Sequence, residues 1–236
     1  MSRAPAELDH EKATRNRLLS AAGEVFAEHG FKNATIREIC KKAGANVAAI
    51  NYHFGDKKKL YAEVLRFAHA CASEKHPADE GLPANAAPEQ RLRAFIVSSI
   101  RRVFDEGRPA WHGKLTAQEI IEPTAALNYL VQHEIRPRQQ QLFAIIQDIL
   151  GGKAGEATLR HASQSIIGQC IFYHHARPMI ERIFPQQSFD AKGVEERAEM
   201  IYQFSLAALR GMKSKQKVNH EGTKGTKERQ IKISHR

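Results

Sequence analysis

With 236 residues, 42% of them hydrophobic and 26% charged, the chain can build one large or two small domains with buried cores. It has no run of about 18 apolar residues, so no membrane-spanning helix is expected, and its start lacks the apolar segment of a secretory signal. The formal net charge of +10 sits at the two ends, with +4 on residues 1–60, +7 on residues 210–236 and −1 between, which suits a chain whose first part meets an anionic polymer.

The first ten residues have no hydrophobic period and read as a mobile arm, with Arg3 as a possible phosphate contact. From Glu11 to His29, Leu18, Ala22, Val25 and Phe26 follow the spacing of an amphipathic helix that Gly30 closes. Thr35 is an N-cap with Glu38 three residues on, which makes a capping box, and Ile36, Ile39 and Cys40 recur at helical spacing behind it. Ala43-Gly44 ends that helix. Asn46 caps the next, with Val47, Ile50 and Phe54 as its inward stripe. Two short helices joined by about four residues with a glycine form a helix-turn-helix, whose second helix enters the major groove.

The outward side of that second helix suits the task. Ala48 and Ala49 are small and allow close approach, Asn51 can pair with adenine in a bidentate way, and Tyr52 and His53 reach bases or phosphates. Gly55-Asp56-Lys57 breaks the helix, caps the next and sets a lysine at a helix start, where a phosphate fits. Thr35, Arg37 and Asn46 complete the expected DNA-facing set. The run Thr-x-x-x-Ile, Ala-Gly, Asn-Val and Tyr-His-Phe-Gly-Asp-Lys-x-x-Leu-Tyr resembles the DNA-binding domain of the TetR family over about residues 11–61. Many members end the recognition helix with Tyr-x-Tyr-Phe; this chain has Asn51-Tyr52-His53-Phe54.

Lys57 to about Glu74 is a fourth helix with Leu60, Val64, Phe67 and Ala68 inward. The resemblance implies that this is the lever moved by ligand binding. His76 to Pro88, rich in proline and alanine, is the expected linker. Further helices are expected at Glu89–Asp105, Trp111–Ile121, from Thr124 onward with a kink at Pro137, at Glu156–His175, and at Lys192–Met212. No strand pattern survives. The fold class is all-α, divided as 1–60 arm and DNA-binding domain with the motif at 35–54, 61–88 connecting helix and linker, 89–212 ligand-binding and dimerisation domain, and 213–236 disordered basic tail.

A near-neutral helical domain of this size exceeds what a DNA reader needs. Helix-turn-helix proteins read operators as dimers, because one short helix makes too few base contacts. The helices at about 156–175 and 192–212, with the small residues Ser163, Gly168, Ala207 and Ala208, are the expected homodimer surface. The resemblance implies a four-helix bundle there. Trp111, His112, Phe143, Gln164, Gln169, Phe172 and His175 are candidates for an effector site of apolar walls and a few polar groups. Segments around Leu115–Thr124, Ile135–Arg138 and Ile167–Pro178 resemble the C-terminal domain of the CecR-like branch, which implies a regulator linked to transport or drug sensitivity without naming a ligand.

Adjacent His174 and His175 point to different sides of a helix and His161 is out of register, so no metal or other cofactor is expected. Cys40, Cys71 and Cys170 are odd in number and far apart, which argues against a disulfide framework and for a reducing cytoplasm. An enzyme with a vestigial DNA head would need a phosphate loop, GxSxG, HExxH or paired carboxylates, and none occurs. A non-specific architectural DNA binder is the other alternative, set apart by its lack of sequence preference. The expected function is a homodimeric repressor released from double-stranded operator DNA by a small-molecule effector, with a transport or drug-efflux operon as the target that the resemblance implies.

Overall fold

The computed structural model describes the backbone of residues 5–83, 85–104, 111–152 and 154–233, and the side chains of these except 5–10, 71–74 and 214–233. Arg3 and the side chain of Cys71 lie outside the described residues. Among the described residues the secondary structure is helical throughout: α1 (Pro5–Asn33), α2 (Ile36–Ala43), α3 (Val47–Phe54), α4 (Lys57–Lys75), α5 (Pro88–Phe104), α6 (Trp111–Ile121), α7 (Ala125–Leu130), α8 (Arg136–Ile149), α9 (Glu156–His175), α10 (Arg177–Ile183) and α11 (Ala191–Ile233). A wide π-helical turn, Val131–Ile135, joins α7 to α8. It lies just before Pro137, which has no N–H to donate into the preceding turn.

The chain forms two compact units that do not follow it linearly. One comprises Met1–Lys75 and Asp105–Pro137, the other His76–Phe104 and Arg138–Arg236. The stretch 89–212, which the hydrophobic pattern groups together, is thus divided, with α6 and α7 in the first unit.

The first unit is built on α1. Leu18, Leu19, Ala22 and Phe26 are fully buried beside Ile39, Ile50, Leu60, Val64 and Leu65 from the next three helices. Gly30 leaves helical geometry at φ 74, as expected of a helix-ending glycine, and Phe31 folds back with its ring 6.2 Å from Phe26 and 4.9 Å from Tyr61. Helix α6 joins this core through Trp111 and Leu115. A Cβ placed on Gly23, mid-way along α1, would lie 2.2 Å from Cε2 of Trp111, so the glycine makes room for the indole. Gly23→Ala improves helix propensity by about 1 kcal/mol, yet overpacking costs about 1–3 kcal/mol. We expect a net fall in Tm by differential scanning fluorimetry; a rise would contradict this packing.

The same unit buries a carboxylate. Glu119 is 1% exposed and accepts from the Tyr61 hydroxyl at 2.7 Å, the Thr124 backbone N–H at 2.8 Å and the Thr124 hydroxyl at 2.9 Å. Three donors satisfy the group and tie α4 and the start of α7 to α6. Burial, together with the hydrogen bond to Glu119, pushes the Tyr61 phenol far above its ordinary value of 10.0. A folded-state value above the unfolded one stabilises the protein below about pH 10, and that contribution is lost as pH rises further. Tyr61→Phe is expected to cost about 1–3 kcal/mol at neutral pH. It should also flatten the alkaline loss of stability in denaturant melts.

The second unit packs α5 against α9 and α11, with α8 beside them. Leu92, Phe95, Ile96, Ile100, Leu142, Ile146, Ile166, Cys170, Ala198 and Ile201 form its core. Arg138 stacks 5.0 Å from the Phe95 ring centroid and donates to Ser99 at 2.9 Å. Cys40 and Cys170 are buried free thiols, and burial pushes Cys170 up to about 12.

Two local expectations are corrected. Val47 does not face inward; it is 45% exposed, because the packed side of this eight-residue helix begins one turn later at Ile50. The basic segment from Lys213, expected to lack regular structure, continues α11 to Ile233. Extending an existing helix needs no new nucleus, and lysine, glutamine, arginine and glutamate are good helix formers.

Candidate nucleic-acid interface

Three caps place the candidate reading helix. Thr35 Oγ1 accepts from the Glu38 N–H at 3.2 Å, and the Glu38 carboxylate accepts from the Thr35 N–H at 3.0 Å, a complete capping box. Gly44 takes the left-handed conformation, φ 59 and ψ 41, and closes α2. Asn46 Oδ1 then accepts from the Ala49 N–H at 2.9 Å and starts α3. Asp56 repeats the device, accepting from the Lys59 N–H at 2.8 Å at the start of α4. Ile50 at 0% exposure and Phe54 at 6% anchor α3 to the core, so the rotation of its outer side is set.

That outer side carries Ala48, Asn51 and Tyr52, all exposed, with Arg37 exposed on α2. Neither Asn51 nor Arg37 has a side-chain hydrogen bond or ion pair among the described residues. Asn51 thus keeps both its amide donor and its carbonyl acceptor, the pair an adenine edge requires. Tyr52 donates weakly to Glu11 at 3.3 Å, and His53 is half-buried with its ring 5.0 Å from that of Tyr52. Ala49 is half-buried against the core rather than outward. Thr35 and Asn46 are exposed but their side-chain oxygens serve the caps.

Lys57, expected at a phosphate, also has partners within the fold. Its ammonium donates to the Lys32 carbonyl at 3.1 Å and lies 4.9 Å from the Phe31 ring centroid, so it braces the end of α1. Lys58 and Lys59 beside it are exposed. The three-lysine run was visible in the sequence; which member is committed to the fold depends on where Phe31 turns back.

The effector candidates fall in both units. Trp111 and His112 are buried in the first unit at 6% and 4% exposure. In the second unit, Phe143 and Gln169 are half-buried, while Gln164, Phe172 and His175 are exposed along one side of α9 with Gly168 and Ile171. Helix α11 carries a matching exposed stripe of Met200, Phe204, Ala207, Ala208 and Gly211. A small cleft of about 240 Å³ lies elsewhere in this unit, between the linker and α5 and α8, lined by Ala78, Leu82, Arg91 and Gln141 among others. Among the described residues no group of three or more His, Cys, Asp and Glu is arranged to hold a metal, and no helix is long and apolar enough to cross a membrane.

Residues 18–64 match the DNA-binding domain described as bacterial regulatory proteins, tetR family. Residues 88–209, more than half the chain, match the C-terminal domain described for the HTH-type transcriptional dual regulator CecR. The chain belongs to the TetR family, with a CecR-type C-terminal domain. Across 84% of this TetR-family chain and 91% of the relative, it is 28% identical to the dual regulator CecR of Shigella flexneri. Across 85% of the chain and 92% of the relative, it is 27% identical to the repressor NicS of Pseudomonas putida. The fold is shared with the TetR-family regulator PfmR of Thermus thermophilus, with a TM-score of 0.57 and 22% identity over 81% of this chain and 95% of that one. It is also shared with the fatty acid degradation regulator FadR of Bacillus halodurans, with a TM-score of 0.59 and 16% identity over 81% and 97%. As a TetR-family member the protein is a DNA-binding transcriptional regulator rather than an enzyme.

Proposed function

We propose that the protein is a homodimeric repressor that leaves its operator when a small molecule binds the second unit. The observation that carries this reading is the outer side of α3, where Ala48, Asn51 and Tyr52 are exposed on a helix held by caps and by Ile50. Asn51 reads an adenine, Ala48 permits close approach, and Arg37, Tyr52 and His53 contact phosphate or neighbouring bases. The N-terminal ends of α2 and α4, at Thr35 and Asp56, offer backbone N–H groups to phosphates, and Lys57 to Lys59 add positive charge.

The dimer forms through α9 and α11. Their exposed stripes combine large apolar residues, Ile171, Phe172, Met200 and Phe204, with the small Gly168, Ala207, Ala208 and Gly211. Such a face is costly to leave in water and lets helices approach closely. Gln164, Phe172 and His175 are assigned to it, which leaves half-buried Phe143 and Gln169 among the residues open to an effector site. The functional division is a reading head at 1–60, a connecting segment at 61–88 and a sensing and dimerisation region at 89–212. Effector and operator then oppose each other with a reciprocal coupling of about 1–3 kcal/mol. A transport or drug-efflux operon is the proposed target, and the cytoplasm the place of action. The names of the two relatives, one a repressor and one a dual regulator, favour repression as at least part of the role.

Gel-shift titration on the protein's own upstream region tests the reading. Binding should be at least about a thousandfold tighter than to scrambled DNA at matched salt. Equal binding to both would leave only a non-specific DNA binder.

A further inference from the structure

Arg197, in the second turn of α11, is 5% exposed. Its Nη1 donates to the Ser188 carbonyl at 2.6 Å and the Gly193 carbonyl at 2.7 Å. Its guanidinium carbon lies 3.9 Å from the Phe189 ring centroid and 5.6 Å from that of Tyr173. Its Nε and Nη2 are buried and have no hydrogen-bond partner among the described residues. These two groups form one edge of the guanidinium, with parallel N–H bonds spaced to match the two oxygens of a carboxylate.

A buried cation with two unanswered donors is costly. Among the described residues no side chain hydrogen-bonds to those two donors, although the Asp190 and Glu196 carboxylates are close enough to add favourable charge. Asp190 accepts from the Gly193 N–H at 2.8 Å, and Glu181 is paired with Arg177 at 2.8 Å. Arg177 is itself 5.0 Å from the same Phe189 ring, so a second cation sits close by. Burial holds the Arg197 guanidinium below its ordinary value. The walls are aromatic: Phe189 and Tyr173 face the guanidinium, and Phe104 stands 5.7 Å from Phe189. The cover is the loop of residues 184–190, exposed except at Phe189. A Cβ on Gly193 would lie 2.2 Å from the Ser188 carbonyl oxygen, so glycine there lets the loop close onto Arg197.

We propose that Arg197 is the anchor of a binding site for a small apolar or aromatic monocarboxylate, held by Nε and Nη2 between Phe189 and Tyr173 and admitted by movement of loop 184–190. A carboxylate matches the single buried positive charge, whereas a phosphate dianion would exceed it and find too few donors. This names the chemical class of the effector and rests on the effector-released reading for its consequence at DNA; binding itself does not depend on that reading.

Calorimetry on the full-length protein without DNA tests it, using benzoate and hexanoate with benzamide and hexanamide as neutral controls. At least one acid should bind at one site per chain, at least about tenfold tighter than its amide. Arg197→Lys, which keeps the charge and loses the fork, should weaken the acid by about tenfold or more. Equal binding of acid and amide overturns the site, as does unchanged affinity in Arg197→Lys or no binding of either acid up to about 10 mM. The acid and amide comparison on the wild-type protein stands even if the variant fails to fold. A protein that binds its operator but no carboxylate loses this site alone; one that binds carboxylate but no operator loses the repressor reading.

Discussion

Replacing Met200 and Phe204 together with glutamate should turn the protein monomeric and cost operator affinity roughly 10²–10⁴-fold, the usual loss when two linked half-site contacts become independent. Both side chains are mostly exposed on α11, at 64% and 67%, so they support no core within the chain. Each mutation places a charge where the proposed interface removes water, and repeats it across the two-fold axis. Helical content and the thermal transition of the first unit should change little, because its core shares no residue with this stripe. Size-exclusion chromatography with light scattering, run beside the gel shift, checks both halves. A variant that stays dimeric would move the interface away from α9 and α11. A monomer that still binds operator as tightly as wild type would detach dimerisation from DNA reading.

Asn51→Ala should lower discrimination at one base pair of each half-site by about 1–3 kcal/mol and leave binding to random DNA unchanged. The side chain is exposed and makes no hydrogen bond among the described residues, so its loss leaves Ile50 and Phe54 packed and α3 capped by Asn46. Lys58→Ala is the contrasting variant. It should weaken all sequences alike and reduce the salt slope by about one. Lys57→Ala mixes two effects, because the ammonium also holds the Lys32 carbonyl and Phe31. If Asn51→Ala and Lys58→Ala gave the same pattern across sequences and salt, the division between base reading and phosphate anchoring would be wrong.

The parts legible in the sequence are those fixed by contacts a few residues apart. The Thr35–Glu38 box, the Gly44 stop and the Asn46 cap span three or four positions, and residue type alone specifies them. The buried faces of α1 and α4 follow from periodicity for the same reason. What escaped depends on distant pairs. Nothing local ties Tyr61 to Glu119 or opens a slot at Gly23 for Trp111, yet these contacts draw α6 into the first unit. The effector candidates illustrate the same point. A polar residue on an apolar helix looks the same whether it lines a pocket or an exposed stripe, and packing puts Gln164, Phe172 and His175 on the stripe. Arg197 was unremarkable in the sequence, because its burial depends on how the loop at 184–190 folds over α11.

Hydroxyl-radical and dimethyl-sulfate footprinting across the upstream region tests most directly whether two α3 helices read duplex DNA together. Two protected segments should appear on one side of the duplex, related by a dyad, with major-groove purines shielded in each and centres about 10–10.5 base pairs, or a whole multiple, apart. Protection confined to a single segment, or spread without sequence boundaries, would contradict a two-fold reader built on α3.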